Sequence, residues 1–281
     1  MASTHFRSRI FITRLVVYIL AIFWLLIALY PFVFLVQNSF KRLMEFFTGN
    51  VWKLPEVFSL VNYIEVWTSN FPRFLFNSAF VVSISLTLLL LAGSSAAYGL
   101  SRLKFRFRRV FYYLFVGGMT IPVHITLIPV YIITRRIGLY DSLWALIGPY
   151  IAFNMPITVF ILVSFMGGIP KSLEEAAYID GSTKWQNFRH IVLPISRPAM
   201  TAVGIYNSVI LWNDFIFPLV LISARTKRPL TLALWNFQGE FGSDVPTIMA
   251  ALILSVIPLL IFYAVTREKL IEGLVAGAIK G

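Results

Sequence analysis

Long apolar stretches separated by short polar connections dominate the pattern along this chain of 281 residues. A helix needs about 20 mostly apolar residues to cross about 30 Å of hydrocarbon, and six stretches reach that length. The pattern therefore predicts an all-α membrane protein with six transmembrane helices, in a single domain over residues 1–281. The predicted spans are residues 15–36, 74–100, 110–134, 142–166, 199–223 and 247–266.

The stretches predict helices and not barrel strands. Lipid cannot satisfy free backbone groups, so a span is either a helix or a strand of a closed barrel. Barrel strands alternate apolar and polar residues, whereas a run such as Leu86–Ala92 does not alternate. The first stretch is too long for the apolar region of a signal peptide, and no clear small-residue cleavage site follows it, so we expect it to be retained.

Charged residues are few, and their placement indicates an orientation. They make up 13% of the chain, against about 25% in soluble domains. Six spans put both termini on one side, and the loops of that side hold fifteen Lys and Arg residues against nine in the other loops. The positive-inside rule therefore predicts cytoplasmic termini. We interpret the dense basic run, residues 102–109, as a topology anchor and not as a nucleic-acid-binding patch. Membrane lipid is therefore an expected partner, and nucleic acid is not.

Several kinds of chemistry are excluded by the residues present. The chain has no cysteine, and its three histidines show no metal-ligand spacing. It contains no phosphate-binding loop, no G-x-S-x-G elbow and no H-E-x-x-H motif. We therefore expect no catalytic residue, no metal site and no enzyme activity. If the protein drives active transport, its energy enters from another chain or from an ion gradient.

The predicted spans contain prolines and two ionisable residues. Seven of the 14 prolines fall inside the spans, and they indicate either ordinary packing kinks or a gated pathway. Ionisable groups inside a span are functional candidates. Asp214 either binds water at the interface or has a function, and His124 is either a packing residue or a proton relay. So few such residues argue against a proton-driven carrier.

A polar loop, residues 170–194, connects the fourth and fifth predicted spans and is predicted to be structured. Ser172 with Glu175 three residues later forms the S-x-x-E pattern of a capping box. Alanines follow, which favour helix, and Gly181 is a typical residue for ending it. The sequence therefore predicts a short helix that stops at Gly181.

A second short helix is predicted after this stop. Ser182 can cap it, it runs to about His190, and Pro194 is expected to block its continuation. The loop then consists of two short helices that meet at Gly181 and lie exposed in the cytoplasm.

The first of these helices carries small residues beside acids. Ala176 and Ala177 permit the close approach of another protein, and Glu174 and Glu175 suit basic groups on that partner. A solvated helical loop lying on the membrane explains the same residues. The physical pattern alone leaves both interpretations open.

The spacing of this loop resembles that of a known family. The order Glu175-Ala176-Ala177, three residues, Gly181, nine residues, Ile191, one residue, Leu193-Pro194 is similar to the EAA loop of the ABC-importer permeases. Ser182 stands where alanine is commoner in the family. Segments 174–182, 138–142, 211–215 and 273–281 resemble the carbohydrate branch of the family, to which the maltose permeases belong.

The resemblance implies a type I importer permease fold and a docking surface for a cytoplasmic ATPase. Glu175, Ala176, Ala177 and Gly181 would form that surface, supported by Glu174 and Asp180. The implied partners are an ATPase dimer, a second homologous permease and an extracytoplasmic solute-binding protein. ATP and Mg would bind to the ATPase and no cofactor to this chain, which would lie in a bacterial or archaeal plasma membrane.

The function implied by the resemblance is that of a permease subunit of an ATP-driven sugar importer. A non-sugar solute, an ion-coupled carrier and a membrane scaffold remain alternatives. Sugars offer hydroxyls and an apolar ring face, which amides and tryptophan suit. The candidate pathway residues, which could instead line a solvent gap or support a gate, are Asn154, Asn207, Trp212, Asn213 and Asp214.

Overall fold

A computed structural model describes the backbone of residues 2–240 and 244–278 and the side chains of residues 14–235 and 244–266. All the regular elements in these ranges are helical. They are α1 (Ala2–Ser39), α2 (Leu43–Thr48), α3 (Val61–Thr68), α4 (Phe71–Arg102), α5 (Arg108–Gly118), α6 (Val123–Arg136), α7 (Trp144–Gly167), α8 (Ser172–Ile179), α9 (Lys184–Asn187), a π-helical turn (Phe188–Val192), α10 (Leu193–Ile195), α11 (Arg197–Asn213), α12 (Ile216–Leu221), a 3₁₀ turn (Arg225–Lys227), α13 (Leu230–Glu240) and α14 (Val245–Ala278).

Four continuous helices in the described part of the chain are long and apolar enough to cross a membrane. They coincide closely with the first, second, fourth and sixth predicted spans. Their apolar parts are Arg14–Ser39, Phe71–Arg102, Trp144–Gly167 and Val245–Thr266.

The third predicted span, 110–134, is not one straight helix. It consists of α5 and α6, which meet at an angle of 103°. Two glycines close α5, and Pro122 is the N-cap residue of α6 in extended conformation. Glycine weakens a helix, and proline restricts the residue before it to non-helical conformations, so the turn falls here. His124, in the first turn of α6, is exposed and does not pack in the core of this chain.

The fifth predicted span, 199–223, is also interrupted. Helix α11 ends at Asn213, and α12 begins at Ile216. Asp214 between them has extended backbone angles, φ −65° and ψ 132°. Its side chain accepts a hydrogen bond from the amide of Phe217 at 3.3 Å, as an aspartate does before a helix. The picture of six unbroken helices is therefore corrected at two positions.

The chain divides into two compact units. One comprises Met1–Ser69 and Phe237–Leu254, and the other comprises Asn70–Asn236 and Ser255–Gly281.

In the first unit, a buried amide fastens the chain that follows α1. Asn62 Nδ2 donates to the carbonyl oxygens of Ser39 and Lys41, at 2.7 and 2.8 Å. Its Oδ1 accepts a hydrogen bond from the Thr247 hydroxyl at 3.4 Å. Buried backbone carbonyls need such partners where a helix ends, so Asn62 stabilises the end of α1.

In the second unit, α4 packs most extensively against α7. Gly93 of α4 makes this approach possible, because a Cβ there would lie 2.5 Å from Cγ2 of Thr158 on α7. The apolar core continues from α4 and α7 into the 170–194 loop. It includes Ala97, Tyr98, Leu162, Met166, Ile169, Phe188, Val192, Ala199 and Val203.

Candidate coupling site and pathway residues

Helix α8 begins without the predicted capping box. Its N-cap residue is Lys171, which already has helical backbone angles and makes no side-chain cap. The Lys171 carbonyl oxygen accepts hydrogen bonds from the amides of Glu174 and Glu175, each at 3.0 Å. Because Ser172 lies inside the first turn, its hydroxyl is not at the position from which a cap reaches the third amide. The predicted Ser172–Glu175 capping box is therefore wrong.

The predicted end of α8 is confirmed. Gly181 follows the C-cap residue Asp180 and has φ +83°. Its amide donates to the carbonyl of Tyr178 at 3.1 Å. The amide of Ser182 donates to the carbonyl of Ala177 at 2.9 Å. This bond pair is a Schellman motif, whose left-handed residue favours glycine because glycine has no Cβ.

Helix α9 carries the capping box that α8 lacks. The Thr183 hydroxyl accepts a hydrogen bond from the Gln186 amide at 3.3 Å. The Gln186 side chain in turn accepts one from the Thr183 amide at 2.7 Å. Ser182, the predicted cap, donates its hydroxyl proton to Asn187 Oδ1 instead. The predicted cap was therefore wrong by one residue.

Pro194 does not end the helical path, contrary to the prediction. Helix α9 continues through the π-helical turn, Phe188–Val192, into α10. In that turn the Leu193 amide bonds to the carbonyl of Phe188, five residues back. Proline lacks a donor and crowds the carbonyl four residues before it. A wider π turn next to the proline lets the chain stay helical through this position.

The predicted docking residues divide between an exposed and a buried face. Large apolar side chains extend the exposed face, since Ile179 is 88% and Trp185 61% exposed. Exposed apolar surface rimmed by polar groups is typical of a partner-binding site. Glu174, by contrast, is buried, with 6% exposed. Of the other predicted residues, Glu175, Ala176, Asp180 and Gly181 are exposed and Ala177 is half-buried.

Sequence reasoning missed two residues that contact Glu174. Arg102 Nε, at the end of α4, lies 3.3 Å from Glu174 Oε1. The Tyr98 hydroxyl donates to Glu174 Oε2 at 3.4 Å. Arg102 was interpreted as one of a run of topology anchors. Nothing in that run indicates which arginine is buried, because its partner Glu174 lies in α8, far from the run in the chain. Tyr98 is likewise 76 positions from Glu174.

Two of the five candidate pathway residues lie in the buried core, and one of them joins two helices. Asn154 is 8% exposed and donates to the carbonyl of Tyr150 on its own helix, α7. Asn207 of α11 is fully buried and donates to the Thr158 hydroxyl of α7 at 3.0 Å. Buried amides paired in this way stabilise packing. The structure therefore places both side chains among protein atoms.

The other three candidates surround the break after α11. Trp212 Nε1 donates to the carbonyl of Ser255 at 3.2 Å, and Trp212 is 9% exposed. Asp214 Oδ2 accepts a hydrogen bond from the Tyr150 hydroxyl at 3.0 Å. Asn213 is exposed, although its amide bonds to the carbonyl of Val209. In this conformation only Asn213 among the five is open at the surface.

Asp141, in the loop between α6 and α7, fastens a second loop. Its Oδ1 accepts hydrogen bonds from the amides of Ser223 and Ala224, at 2.9 and 2.8 Å. Its Oδ2 lies 3.2 Å from Lys227 Nζ. Partial burial acts to raise the pKa of this carboxyl, but the Ala224 amide, the Lys227 ammonium and the Ser223 amide outweigh it and hold the pKa below its usual value.

The fold and this exposed helix pair are those of a membrane transport component. Residues 89–268 match the family model described as "Binding-protein-dependent transport system inner membrane component", and the chain belongs to that family. It is therefore a multi-pass inner-membrane component of a transport system. The class expected from the 170–194 loop is confirmed.

Relatives extend this finding over nearly the whole chain. ORF2 of Caldicellulosiruptor sp. (strain Rt8B.4), assigned as an ABC transporter permease, is 48% identical over 92% of this chain and 94% of its own. The diacetylchitobiose uptake permease NgcG of Streptomyces coelicolor is 34% identical over 89% of this chain and 84% of its own. The trehalose/maltose permease MalG of Thermococcus litoralis is 31% identical over 95% of this chain and 97% of its own.

A solved structure shares the fold. A chain of a bacterial ABC transporter that imports the acidic polysaccharide alginate superposes with a TM-score of 0.79. It is 26% identical, and the match covers 92% of this chain and 96% of that one. The type I importer permease fold is thereby established for this chain.

Proposed function

We propose that this chain is the permease subunit of an ATP-driven carbohydrate importer in a bacterial or archaeal plasma membrane, with both termini in the cytoplasm. The observation that carries the proposal is the exposed face of α8. This helix is capped by Gly181 in a left-handed conformation and shows Glu175, Ala176 and Ile179 to solvent. A surface so defined fits a cleft on a partner subunit.

The partner that fits this face is a cytoplasmic ATPase dimer. Ala176 and Gly181 leave room for close approach, and Glu175 offers a carboxylate to a basic group. The chain itself has no phosphate-binding loop, so ATP and Mg belong on the ATPase and no cofactor is needed here. A second, homologous permease completes the pathway, and an extracytoplasmic solute-binding protein delivers the solute.

The mechanism is a two-state switch driven from the cytoplasm. ATP closes the ATPase dimer, the docked α8 moves with it, and the helices joined to the loop change between inward- and outward-facing arrangements. Such a switch works only if ATP binds one of the two states more tightly. Helices α7 and α11 enter and leave the loop directly, and the shared apolar core around Val192 and Met166 makes the connection rigid.

Carbohydrate is the solute class that the relatives support. NgcG, MalG and the alginate importer are each named for a saccharide. In this chain, the exposed side-chain amide of Asn213 suits a sugar hydroxyl. We assign Asn213 to the pathway, whereas Trp212, which is buried, supports the helices around it together with Asp214, Asn154 and Asn207.

The first test is a charge reversal on the exposed face of α8. We expect Glu175→Lys to weaken ATPase binding by about 2 kcal/mol or more, roughly thirtyfold, because it places a cation against a basic cleft. Co-purification of the co-expressed ATPase measures this loss. Glu65→Lys is the matched control, since Glu65 is exposed on α3. Equal ATPase recovery with both variants would contradict the proposed docking surface.

Transport distinguishes the proposal from an ion-coupled carrier. The reconstituted complex with its binding protein is given labelled oligosaccharide, with ATP inside the vesicles or with an ion gradient and no ATP. ATP-dependent uptake is expected. Uptake driven by the gradient alone contradicts the proposal, and ATP-dependent uptake of a non-sugar solute only would correct the solute class.

A further inference from the structure

Two adjacent glutamates on α8 have opposite surroundings. Glu175 is exposed on the docking face, whereas Glu174 is buried against α4. Glu174 forms an ion pair with Arg102, the last residue of α4, at 3.3 Å between Nε and Oε1. The side chains of the pair are 3% and 8% exposed. A buried pair of this kind links the coupling helix to a transmembrane helix that is far from it in the chain.

Arg102 holds the chain on both sides of the start of α8. Besides contacting Glu174, its Nη2 donates to the carbonyl of Ile169 at 2.5 Å. Ile169 follows α7 and belongs to the buried core. One guanidinium therefore contacts the segment that enters the coupling loop as well as the coupling helix.

Tyr98 extends the link to the second helix of the loop. It lies one turn before Arg102 on the same face of α4, as residues four apart do. Its hydroxyl lies within hydrogen-bond distance of Glu174 Oε2, at 3.4 Å, and of the Lys184 carbonyl of α9, at 3.1 Å. Its ring packs on Phe188 with centroids 5.0 Å apart. Both helices of the loop thus rest on α4.

The energetics favour an orienting role over a purely stabilising one. Burying two charges costs desolvation, and a well-packed apolar pair often gives equal or greater stability. Arg102 Nε and Nη1 are both buried without a hydrogen-bond partner, so Nε meets Glu174 as an ion pair only, and this adds to that cost. What these contacts add is a fixed position for α8, because one carboxylate oxygen of Glu174 faces Arg102 and the other faces Tyr98 of α4.

We propose that Arg102, Tyr98 and Glu174 are positioning residues that make the coupling loop move as one body with α4. The displacement of α8 then reaches α4 through side chains, in addition to the covalent path through α7 and α11. This inference rests on the proposed function, since it needs an ATPase docked on α8. The inference gives a role to Glu174, which is buried and therefore does not contribute to the docking surface.

The measurement is the amount of solute imported per ATP hydrolysed by the complete complex in proteoliposomes. We expect Arg102→Gln and Tyr98→Phe to lower this ratio about fivefold or more, the size of a coupling free energy of about 1 kcal/mol. Arg102→Lys should recover part of the ratio, because it keeps the charge opposite Glu174. Arg109→Gln is the matched control, since Arg109 is exposed at the start of α5.

The ratio separates positioning from general destabilisation. Loss of folded complex lowers import and hydrolysis together and leaves their ratio unchanged. A wild-type ratio in an assembled Arg102→Gln complex overturns the proposal. If that variant fails to insert, Tyr98→Phe decides alone, because it removes only one hydroxyl. A wild-type chain that binds no ATPase overturns the proposed function and this inference together, whereas normal coupling in the variants overturns only the inference.

Discussion

Asp141 shows how one side chain fixes a connection between helices. Its backbone has φ 57°, a left-handed conformation that aspartate tolerates better than most residues. That turn aims the carboxylate at the amides of Ser223 and Ala224. Lys227 completes the clamp by donating to the Asp141 carbonyl at 2.6 Å. The loop after α12 is therefore held by an acid from the loop before α7.

The clamp predicts a pH dependence of stability. The folded-state pKa of Asp141 is lowered, so its stabilisation is fully present above the unfolded-state pKa and is lost as the pH falls through the folded-state value. Asp141→Asn should lower the free energy of unfolding at neutral pH by about 1 kcal/mol or less, since solvent screens this pair. Thermal unfolding of both proteins in detergent, from neutral to acid pH, measures the difference.

A constant difference across that pH range would contradict an ionised clamp. Asparagine is a suitable replacement, because it also tolerates left-handed backbone and its Oδ1 can still accept the hydrogen bonds from the Ser223 and Ala224 amides. The variant therefore removes the charge with little change of shape.

At the scale of the elements, the packing of α4 against α7 depends on one glycine. The Gly93 position lies opposite Thr158, and Thr158 in turn accepts the hydrogen bond from Asn207 of α11. Three helices thus meet around a residue without a side chain. Small residues let membrane helices approach closely, and dispersion and hydrogen bonding then stabilise the contact.

We expect Gly93→Ala to destabilise the bundle by about 1–3 kcal/mol, because the new methyl overlaps Thr158 Cγ2 and displaces it from Asn207. The midpoint of thermal unfolding, followed by size-exclusion chromatography in detergent, measures the effect. Gly99→Ala on the same helix is the control, since a Cβ there meets nothing within 4 Å. Unfolding midpoints that fall equally in both variants would contradict the packing argument.

At the scale of the whole molecule, the distribution of charge predicts the orientation of the chain. The dense basic run 102–109 follows α4, and its exposed members, such as Lys104, suit the cytoplasmic side. The connection after α1, which contains Lys53, is expected outside. This orientation would put the proposed docking face of α8 on the cytoplasmic side, where ATP is available.

Cysteine labelling checks the orientation. The chain has no cysteine, so in a variant with one introduced cysteine the maleimide can label only that residue of the chain. An impermeant maleimide applied to intact cells should label Lys53→Cys and should label Lys104→Cys only after permeabilisation, because both positions are exposed and the charge pattern predicts that the membrane separates them. Labelling of Lys104→Cys in intact cells would reverse the assigned orientation.

The sequence by itself determined the features that arise from local chemistry. Apolar length predicted the helices, since hydrocarbon thickness fixes how many apolar residues a span requires. Gly181 predicted the end of α8, because a left-handed residue is a local requirement. The spacing of the 170–194 loop identified the family through residues within one segment.

Tertiary structure alone decided which of two neighbouring, chemically identical side chains is exposed to solvent. Glu174 is buried because Arg102 and Tyr98 of a distant helix reach it, and no pattern around either partner indicates that pairing. Asp214, at the break after α11, likewise accepts a hydrogen bond from Tyr150 of α7, 64 positions away in the chain. The partners in these stabilising contacts are far apart in the chain. Only tertiary packing brings them together, so the sequence around each residue does not indicate the contact.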